Sequence, residues 1–146
     1  MAPLHDDLEQ KIRWVVDLEQ IKILMAKYCH GIDQQDEQTF MSIWSDDADY
    51  LLPRGEGHGT DGIRALVQKV WREVPRCHHH ITNPVIDVQG DTATANTDVF
   101  YFRRTGDGAR VLLSGTYAFE FVKRAGNWRT RRLEFSSFVT DSPVFE

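Results

Sequence analysis

The first third of the chain carries apolar side chains at helical spacing. From residue 8 to about residue 32 they recur every three or four positions, which predicts one long amphipathic helix. These apolar residues are Leu18, Ile21, Leu24, Met25, Tyr28 and Ile32. Gly31 stands near the end of the pattern and is a typical helix-exit signal. The pattern therefore predicts a helix that ends close to Gly31.

Two shorter helices are predicted next. The second spans 37–44 and leads into a brief strand through Tyr50 to Leu52. Segment 53–59 is rich in glycine and predicts a flexible loop. Thr60 or Asp61 is then expected to cap a third helix, because side-chain oxygens at that position accept from free backbone N–H groups. The apolar stripe of this helix is Ile63, Leu66, Val67 and Val70.

After Pro75 the periodicity changes from helical to alternating. Four segments rich in β-branched and aromatic residues, at 78–88, 92–104, 109–123 and 128–140, are separated by short turns containing glycine. Helices first and an antiparallel meander afterwards predict an α+β fold, with N-terminal helices packed on one face of a curved, mainly antiparallel sheet. We expect one domain over residues 1–146.

The strands are apolar on both faces. Leu113 and Tyr117 alternate with Leu112 and Ala118, so neither side of this strand is simply polar. A sheet of this kind must be covered on both sides, and the helices cover only one. The second cover is most simply a neighbouring subunit, which predicts a homo-oligomer.

Composition excludes several classes of protein. The net charge of −5 over 146 residues argues against a nucleic-acid partner, which needs a basic face. No apolar run reaches the length of a membrane span, and the acidic first ten residues lack the apolar core of a signal peptide. The only cysteines, Cys29 and Cys77, have no metal-type spacing. A cytoplasmic location with both thiols free is therefore expected.

Tyr28, Asp33 and His79 together offer a phenol, a carboxylate and an imidazole, the parts of a proton-transfer site. On an ideal helix Tyr28 and Asp33 point about 140° apart, since each residue turns the helix by about 100°. They can share a pocket only if the helix ends near Gly31. The alternative is a core tyrosine and a solvated aspartate at the helix end.

The run 78–80 consists of three histidines. In a strand His78 and His80 share one face, so with His58 they could bind zinc, while His79 points to the other face. The alternative is one histidine facing a pocket and its neighbours facing outward. Because no metal signature, phosphate-binding loop or dinucleotide fingerprint is present, neither a metal nor a cofactor is expected.

Other polar and aromatic residues are candidates for substrate binding. Asn96 and Asp98 share a strand face with Phe100 and are expected to line a cavity, the alternative being residues of its rim or of a subunit interface. Arg132 is a similar candidate on the last strand. Trp44 and Tyr50 are expected as pocket walls or core residues.

Several motifs resemble the SnoaL-like branch of the nuclear transport factor 2-like superfamily. They are YCHGID at 28–33, SIWSDDADY at 42–50, GTDGI at 59–63, HHITNPVIDV at 79–88, GDTATA at 90–95 and GNWR at 126–129. The resemblance spans about residues 18–138. It implies a cone-shaped α+β barrel whose sheet and helices enclose one deep apolar cavity. It also favours a trimer, with a dimer as the alternative.

Within this superfamily the chain is similar to lyases such as scytalone dehydratase, bile-acid dehydratase and hexachlorocyclohexane dehydrochlorinase. Asp33 and His79 match their aspartate–histidine pair, and Tyr28 matches a tyrosine of the bile-acid enzyme. These lyases also carry a basic or amide residue on the last strand. Arg131 and Arg132 lie near that position, whereas the residue closest to the arginine of the bile-acid enzyme is Ser137. This difference leaves the substrate open.

The resemblance implies a cofactor-independent lyase of the dehydratase type, acting on a small cyclic, apolar or aromatic molecule. His79 would be the general base, Asp33 would orient it, and Tyr28 would bind a carbonyl or protonate the departing hydroxyl. An isomerase or cyclase would use the same residues. A non-catalytic binding protein, or a structural subunit like the small subunits of ring-hydroxylating dioxygenases, is the alternative without catalysis.

Overall fold

The computed structural model describes residues 8–141, and its helices are α1 (Leu8–Gln34), α2 (Glu37–Ser42) and α3 (Gly59–Glu73). Residues 1–7 and 142–146 of the predicted domain lie outside this part. No helix in the described range is long and apolar enough to cross a membrane. The buried side chains of α1 follow the predicted stripe. They are Ile21, Leu24, Met25, Tyr28 and Ile32.

Gly31 does not end α1, and this prediction is wrong. The helix continues for three more residues to Gln34, and Gly31 lies in it where α2 crosses. A Cβ atom at Gly31 would lie 2.8 Å from both the backbone nitrogen and the Cα of Phe40. The missing side chain therefore allows α1 and α2 to pack closely. Asp36 then starts α2 by accepting a hydrogen bond of 3.1 Å from the backbone N–H of Thr39.

The region between α2 and α3 is more regular than predicted. Helix α2 ends at Ser42, and Trp44 already belongs to strand β1 (Trp44–Leu52). The predicted loop 53–59 contains strand β2 (Gly55–His58), which pairs antiparallel with β1. Helix α3 begins at Gly59 with His58 as its N-cap residue, so neither predicted cap is correct. His58 provides no side-chain hydrogen bond to this helix end.

The remaining strands are β3 (Arg76–Gln89), β4 (Thr92–Arg104), β5 (Arg110–Arg124) and β6 (Asn127–Asp141). Each agrees with its predicted segment to within two residues at either end. The six strands form one sheet in the order β2-β1-β6-β5-β4-β3, in which only β1 and β6 are parallel. The predicted α+β class is confirmed, but the sheet does not close into a full barrel, since β2 and β3 form its two edges.

Irregular pairing bends the sheet around the helices. The register shifts between Thr82 and Val85 on β3, and again at Ser114/Gly115 and Glu120/Phe121 on β5. Such bulges bend a strand and increase its twist. The inner face packs on α1 and α3 through large buried side chains. They include Tyr28, Tyr50, Tyr117, Phe119, Phe121 and Val67.

The outer face of the sheet carries exposed apolar side chains. Phe100 and Phe102 are 40% and 39% exposed on β4, and Phe138 is 73% exposed on β6. This agrees with the alternation from which a homo-oligomer was inferred. The oligomer itself stays a prediction.

Candidate active site

His79 alone of the three consecutive histidines faces inward. It lies on β3 and is 9% exposed, whereas His78 and His80 are exposed on the outer face with ring centroids 4.4 Å apart. This follows from the two-residue period of a strand. The His79 ring stacks on Tyr101 of β4, with centroids 4.6 Å apart. Strand pairing explains this contact, because His79 and Tyr101 are Cα partners.

Asp33 holds His79 through both of its carboxylate oxygens. The Oδ1 atom lies 2.5 Å from the His79 Nδ1, and Oδ2 accepts a 2.8 Å hydrogen bond from the His79 backbone N–H. The two side chains are 11% and 4% exposed. This double contact fixes the position of the imidazole ring. It also favours the tautomer that carries its proton on Nδ1.

The surroundings of Asp33 favour its charged form. Burial by itself raises the pKa of a carboxyl, because desolvation disfavours the anion. The hydrogen bonds and the charge of His79, together with the Cys77 thiol, outweigh burial and lower the pKa of Asp33 below its ordinary value of 3.8. Asp33 is therefore an anion at neutral pH.

We expect Asp33→Asn to lower the free energy of unfolding by about 1–3 kcal/mol at neutral pH, the typical cost of leaving buried polar partners unsatisfied. Because the folded-state pKa of Asp33 lies below 3.8, its contribution is complete above that pH. It is lost as the pH falls through the lowered value. Urea unfolding of wild type and variant from pH 7 to pH 3 measures this difference.

The matched control is Asp91→Asn, which removes the same charge from an exposed turn residue. It should leave stability nearly unchanged at neutral pH. A wild-type advantage over Asp33→Asn that stays constant down to pH 3 would contradict the lowered pKa of Asp33.

Three tyrosine hydroxyls meet beside His79. The Tyr28 hydroxyl lies 2.9 Å from that of Tyr50 and donates to that of Tyr117 at 3.2 Å. Burial raises the pKa of all three phenols above the ordinary 10.0, so they stay protonated at neutral pH. When Tyr28 donates to Tyr117, its single proton is used, and Tyr50 donates to Tyr28. The Tyr117 proton is then available to a group in the cavity.

Tyr28 and Asp33 act on His79 from two sides although both belong to α1. The helix does not end between them, so the prediction that they can share a pocket only if the helix ends near Gly31 is wrong. Tyr28 lies under the sheet, with its ring centroid 6.0 Å from that of His79. Asp33 lies near the end of the helix and reaches the Nδ1 side of the same ring. The histidine, not the helix end, brings the two groups together.

Tyr28 and His79 border a cavity of about 290 Å³ between the sheet, α1 and α3, whereas Asp33 holds His79 from outside its lining. This volume is near the lower limit of about 300–1,000 Å³ for small-molecule sites and suits a compact ligand. Its lining is mainly apolar and aromatic. The residues are Tyr28, Ile32, Tyr50, Leu52, Pro53, Arg54, Val70, Val74, Cys77, His79, Tyr101, Arg103, Leu113, Tyr117, Phe135 and Ser137.

The structure separates the predicted substrate-binding residues. Tyr50 lines the cavity, whereas Trp44 is buried in the core against Tyr50 and Phe40. Three other residues, all on β4, were expected at the cavity, and this prediction is wrong. The register of β4 turns them to the outer face of the sheet. They are Asn96, Asp98 and Phe100.

Arg132 does not line the cavity either. Its guanidinium lies on the outer face and contacts the Glu134 carboxylate at 2.6 Å. Ser137, at the last-strand position where the similar lyases have a basic or amide residue, does line the cavity. The prediction of Arg132 as a substrate-binding residue is therefore wrong.

Among the cavity residues that were not predicted from the sequence are Tyr101, Tyr117, Arg54 and Arg103. Tyr101 and Arg103 are the inward-facing neighbours of the outward-facing Phe100 and Phe102 on β4. A signal was present, because residues that pair directly across antiparallel strands share a face. The partner of His79 therefore had to face the cavity with it.

A metal ion has one possible set of ligands in the described part of the chain. Atoms of Asp33, Cys77 and His79 lie within 4.8 Å of one another. Burial, followed by the charge of Asp33, raises the pKa of the Cys77 thiol far above its ordinary value. A protonated thiol is a poor ligand, and Asp33 and His79 are already bonded to each other. The group fits a hydrogen-bonded pair better than a metal site.

Residues 14–134 match the SnoaL-like domain family, and the chain belongs to this family. It is similar to hexachlorocyclohexane dehydrochlorinase 1 of Sphingobium indicum strain B90A. The two are 28% identical over 117 residues, which cover 77% of this chain and 76% of that protein. The relative is thus a lyase, and the family resemblance inferred from the motifs is confirmed.

Solved structures show the same fold. The crystal structure of a type 2 hexachlorocyclohexane dehydrochlorinase superimposes with a TM-score of 0.88 at 22% identity, covering 93% of this chain and 95% of that one. An NTF2-like protein with a cystatin-like fold from Novosphingobium aromaticivorans gives 0.76 at 25% identity, with 92% of both chains covered.

Proposed function

We propose that this chain is a cofactor-independent lyase that eliminates water from a small cyclic, largely apolar substrate. The observation that carries the proposal is the Asp33–His79 pair, 2.5 Å apart at the wall of a cavity of about 290 Å³. The lyase activity of the similar dehydrochlorinase supports it. The apolar lining favours a substrate that is itself mostly hydrocarbon.

His79 acts as the general base. With its Nδ1 proton held by Asp33, the ring offers the lone pair on Nε2 to a substrate proton. The proton most easily removed is one acidified by an adjacent carbonyl group. Asp33 then stabilises the positive charge that develops on the imidazole, in a site from which water is largely excluded.

The three tyrosines favour water over chloride as the leaving group. Hydroxide leaves only if it is protonated, whereas chloride leaves as a stable anion. As the base takes the proton from carbon, the electron pair forms the double bond and the C–O bond breaks. The departing oxygen takes a proton from the hydroxyl chain of Tyr50, Tyr28 and Tyr117 and leaves as water. The proton that His79 took from carbon then returns to this chain, so that both groups regain their starting protonation.

The test uses 3-hydroxycyclohexanone and 3-chlorocyclohexanone, followed by the ultraviolet absorbance of the conjugated enone that both would yield. Wild type is expected to form enone from the hydroxy compound faster than the uncatalysed reaction. Tyr117→Phe, which removes the hydroxyl whose proton is available to the cavity, should slow loss of water by about 10²-fold or more, the lower range for a general acid, but slow loss of chloride much less. The chloride reaction is thus an internal control for folding and binding.

Equal slowing of both reactions would contradict the proton-donor role of the tyrosine chain. Enone formation by neither compound, with deuterium from D₂O appearing in the recovered ketone, would point to an isomerase instead. Binding with neither exchange nor elimination would point to a binding protein.

A further inference from the structure

One arginine on the cavity wall has no partner of opposite charge. Arg103 faces inward on β4, between the exposed Phe102 and Arg104. Its Nε atom is buried and has no hydrogen-bond partner among the described residues. Within the same part of the chain its guanidinium forms no ion pair with a carboxylate, and its charged neighbour is Arg54. A buried polar group of this kind is costly unless something pairs with it.

The other cation of the cavity is already neutralised. Arg54 follows the end of β1 and forms a 2.9 Å ion pair with Glu73 at the end of α3. Burial, and then the like charge of Arg54, lower the pKa of Arg103, so its surroundings do not compensate its charge. Of the two arginines that line the cavity, Arg103 is therefore the one without a carboxylate partner among the described residues, which suits a ligand with one negative charge.

Three more arginines stand at the same end of the sheet. Arg76, Arg104 and Arg110 are direct Cα partners on β3, β4 and β5, and all three are exposed. Like charges directly opposite each other destabilise a sheet. In a chain with a net charge of −5, they also concentrate positive potential beside Arg103. Such a potential attracts anionic ligands to this end of the molecule.

We propose that the substrate carries a single carboxylate and that Arg103 binds it while the reacting carbon lies at His79. The planar guanidinium presents paired N–H donors that match the two oxygens of a carboxylate. A carboxylate-bearing ring is thus the substrate class for the elimination proposed above. The reaction part of this inference rests on that proposed function, whereas the binding of a carboxylate by Arg103 does not.

The strand geometry places the two groups on the same wall of the cavity. Tyr101, which stacks on His79, and Arg103 are two residues apart on the inward face of β4, so their Cα atoms are about 7 Å apart. One small cyclic molecule can therefore contact both. The substrate class is a cyclic acid whose carboxylate lies at Arg103 while the reacting carbon lies at His79.

The test compares two ligands of the same shape, cyclohexanecarboxylate and cyclohexanecarboxamide, at pH 8 by NMR titration of the ¹⁵N-labelled protein. Wild type is expected to bind the carboxylate at least about tenfold more tightly, with shifts near Arg103. Arg103→Met should weaken carboxylate binding until the two affinities are nearly equal. Arg104→Met removes the same charge from the next residue on the outer face and should keep the preference.

His79→Gln should also keep the preference, because Arg103 and not His79 is the partner of the carboxylate. Wild type without a preference, Arg103→Met with the full preference, or Arg104→Met with as large a loss would each overturn the proposal. Should Arg103→Met not fold, Arg103→Lys decides. A reduced preference supports the guanidinium fork, and an undiminished one overturns it. Because the titration measures binding and not turnover, its result does not depend on whether the lyase proposal holds.

Discussion

Replacing His79 by glutamine is expected to lower kcat for the elimination by about 10²- to 10⁴-fold, the contribution of a positioned general base. Glutamine has a similar reach but cannot take up a proton at neutral pH. Binding should change little, because the cavity wall is otherwise the same. Initial rates of enone formation over a range of substrate concentrations separate kcat from KM.

His80→Gln is the matched control. His80 is the next residue on β3, but it is exposed on the outer face and lies against His78. Its replacement should leave kcat near the wild-type value. Equal losses in both variants would show that the histidine run acts through folding rather than through proton transfer.

Asp33→Asn should lower kcat as well, since an amide can neither hold the Nδ1 proton in the same way nor stabilise the charged ring. Unchanged ligand affinity with lost turnover in His79→Gln would exclude a protein that only binds its ligand. Unchanged turnover in that variant would refute the assignment of His79 as the base.

Gly31→Ala is expected to lower the free energy of unfolding by about 1–3 kcal/mol, the typical cost of overpacking a close contact. The new methyl group would lie 2.8 Å from backbone atoms of Phe40, so α1 and α2 must move apart. Because Asp33 is two residues further along α1, kcat should fall too. Urea unfolding and enone formation measure the two effects.

Gly62→Ala is the control for Gly31→Ala. Gly62 also lies within a helix, α3, but a Cβ atom there would meet its nearest neighbour at 3.5 Å, an ordinary contact. This variant should gain up to about 1 kcal/mol from the higher helix propensity of alanine. If both alanine variants were stabilised, close packing of α1 on α2 would not be the reason for glycine at position 31.

The long strands were predictable because their pattern is strong and their turns are marked. The segment 92–104 coincides with β4, and the other three predicted strands agree closely with β3, β5 and β6. The short β2 was missed because two of its four residues, Gly55 and Gly57, are glycines, and Gly59 follows it directly. Their composition is typical of a loop, and only the pairing with β1 makes this segment a strand.

The faces of β4 were not predictable from the strand alone. Asn96, Asp98 and Phe100 alternate with Thr97, Val99 and Tyr101, and both sets contain apolar and polar side chains. The register of such a strand can shift by one residue without an obvious change in the number of apolar side chains that are buried. Pairing of His79 with Tyr101 decides which set faces the cavity.

The sequence by itself determined the α+β class, the order of the main elements and the small set of residues able to transfer a proton. These follow from local periodicity and side-chain chemistry, which every segment carries alone. Only the tertiary structure decided that Asp33 bonds to His79, that Tyr28 joins two other phenols, and that Arg103 faces the cavity with no carboxylate partner among the described residues. The reason is physical: these contacts join residues 22 to 89 positions apart or depend on strand register, and both are set by packing of the whole sheet.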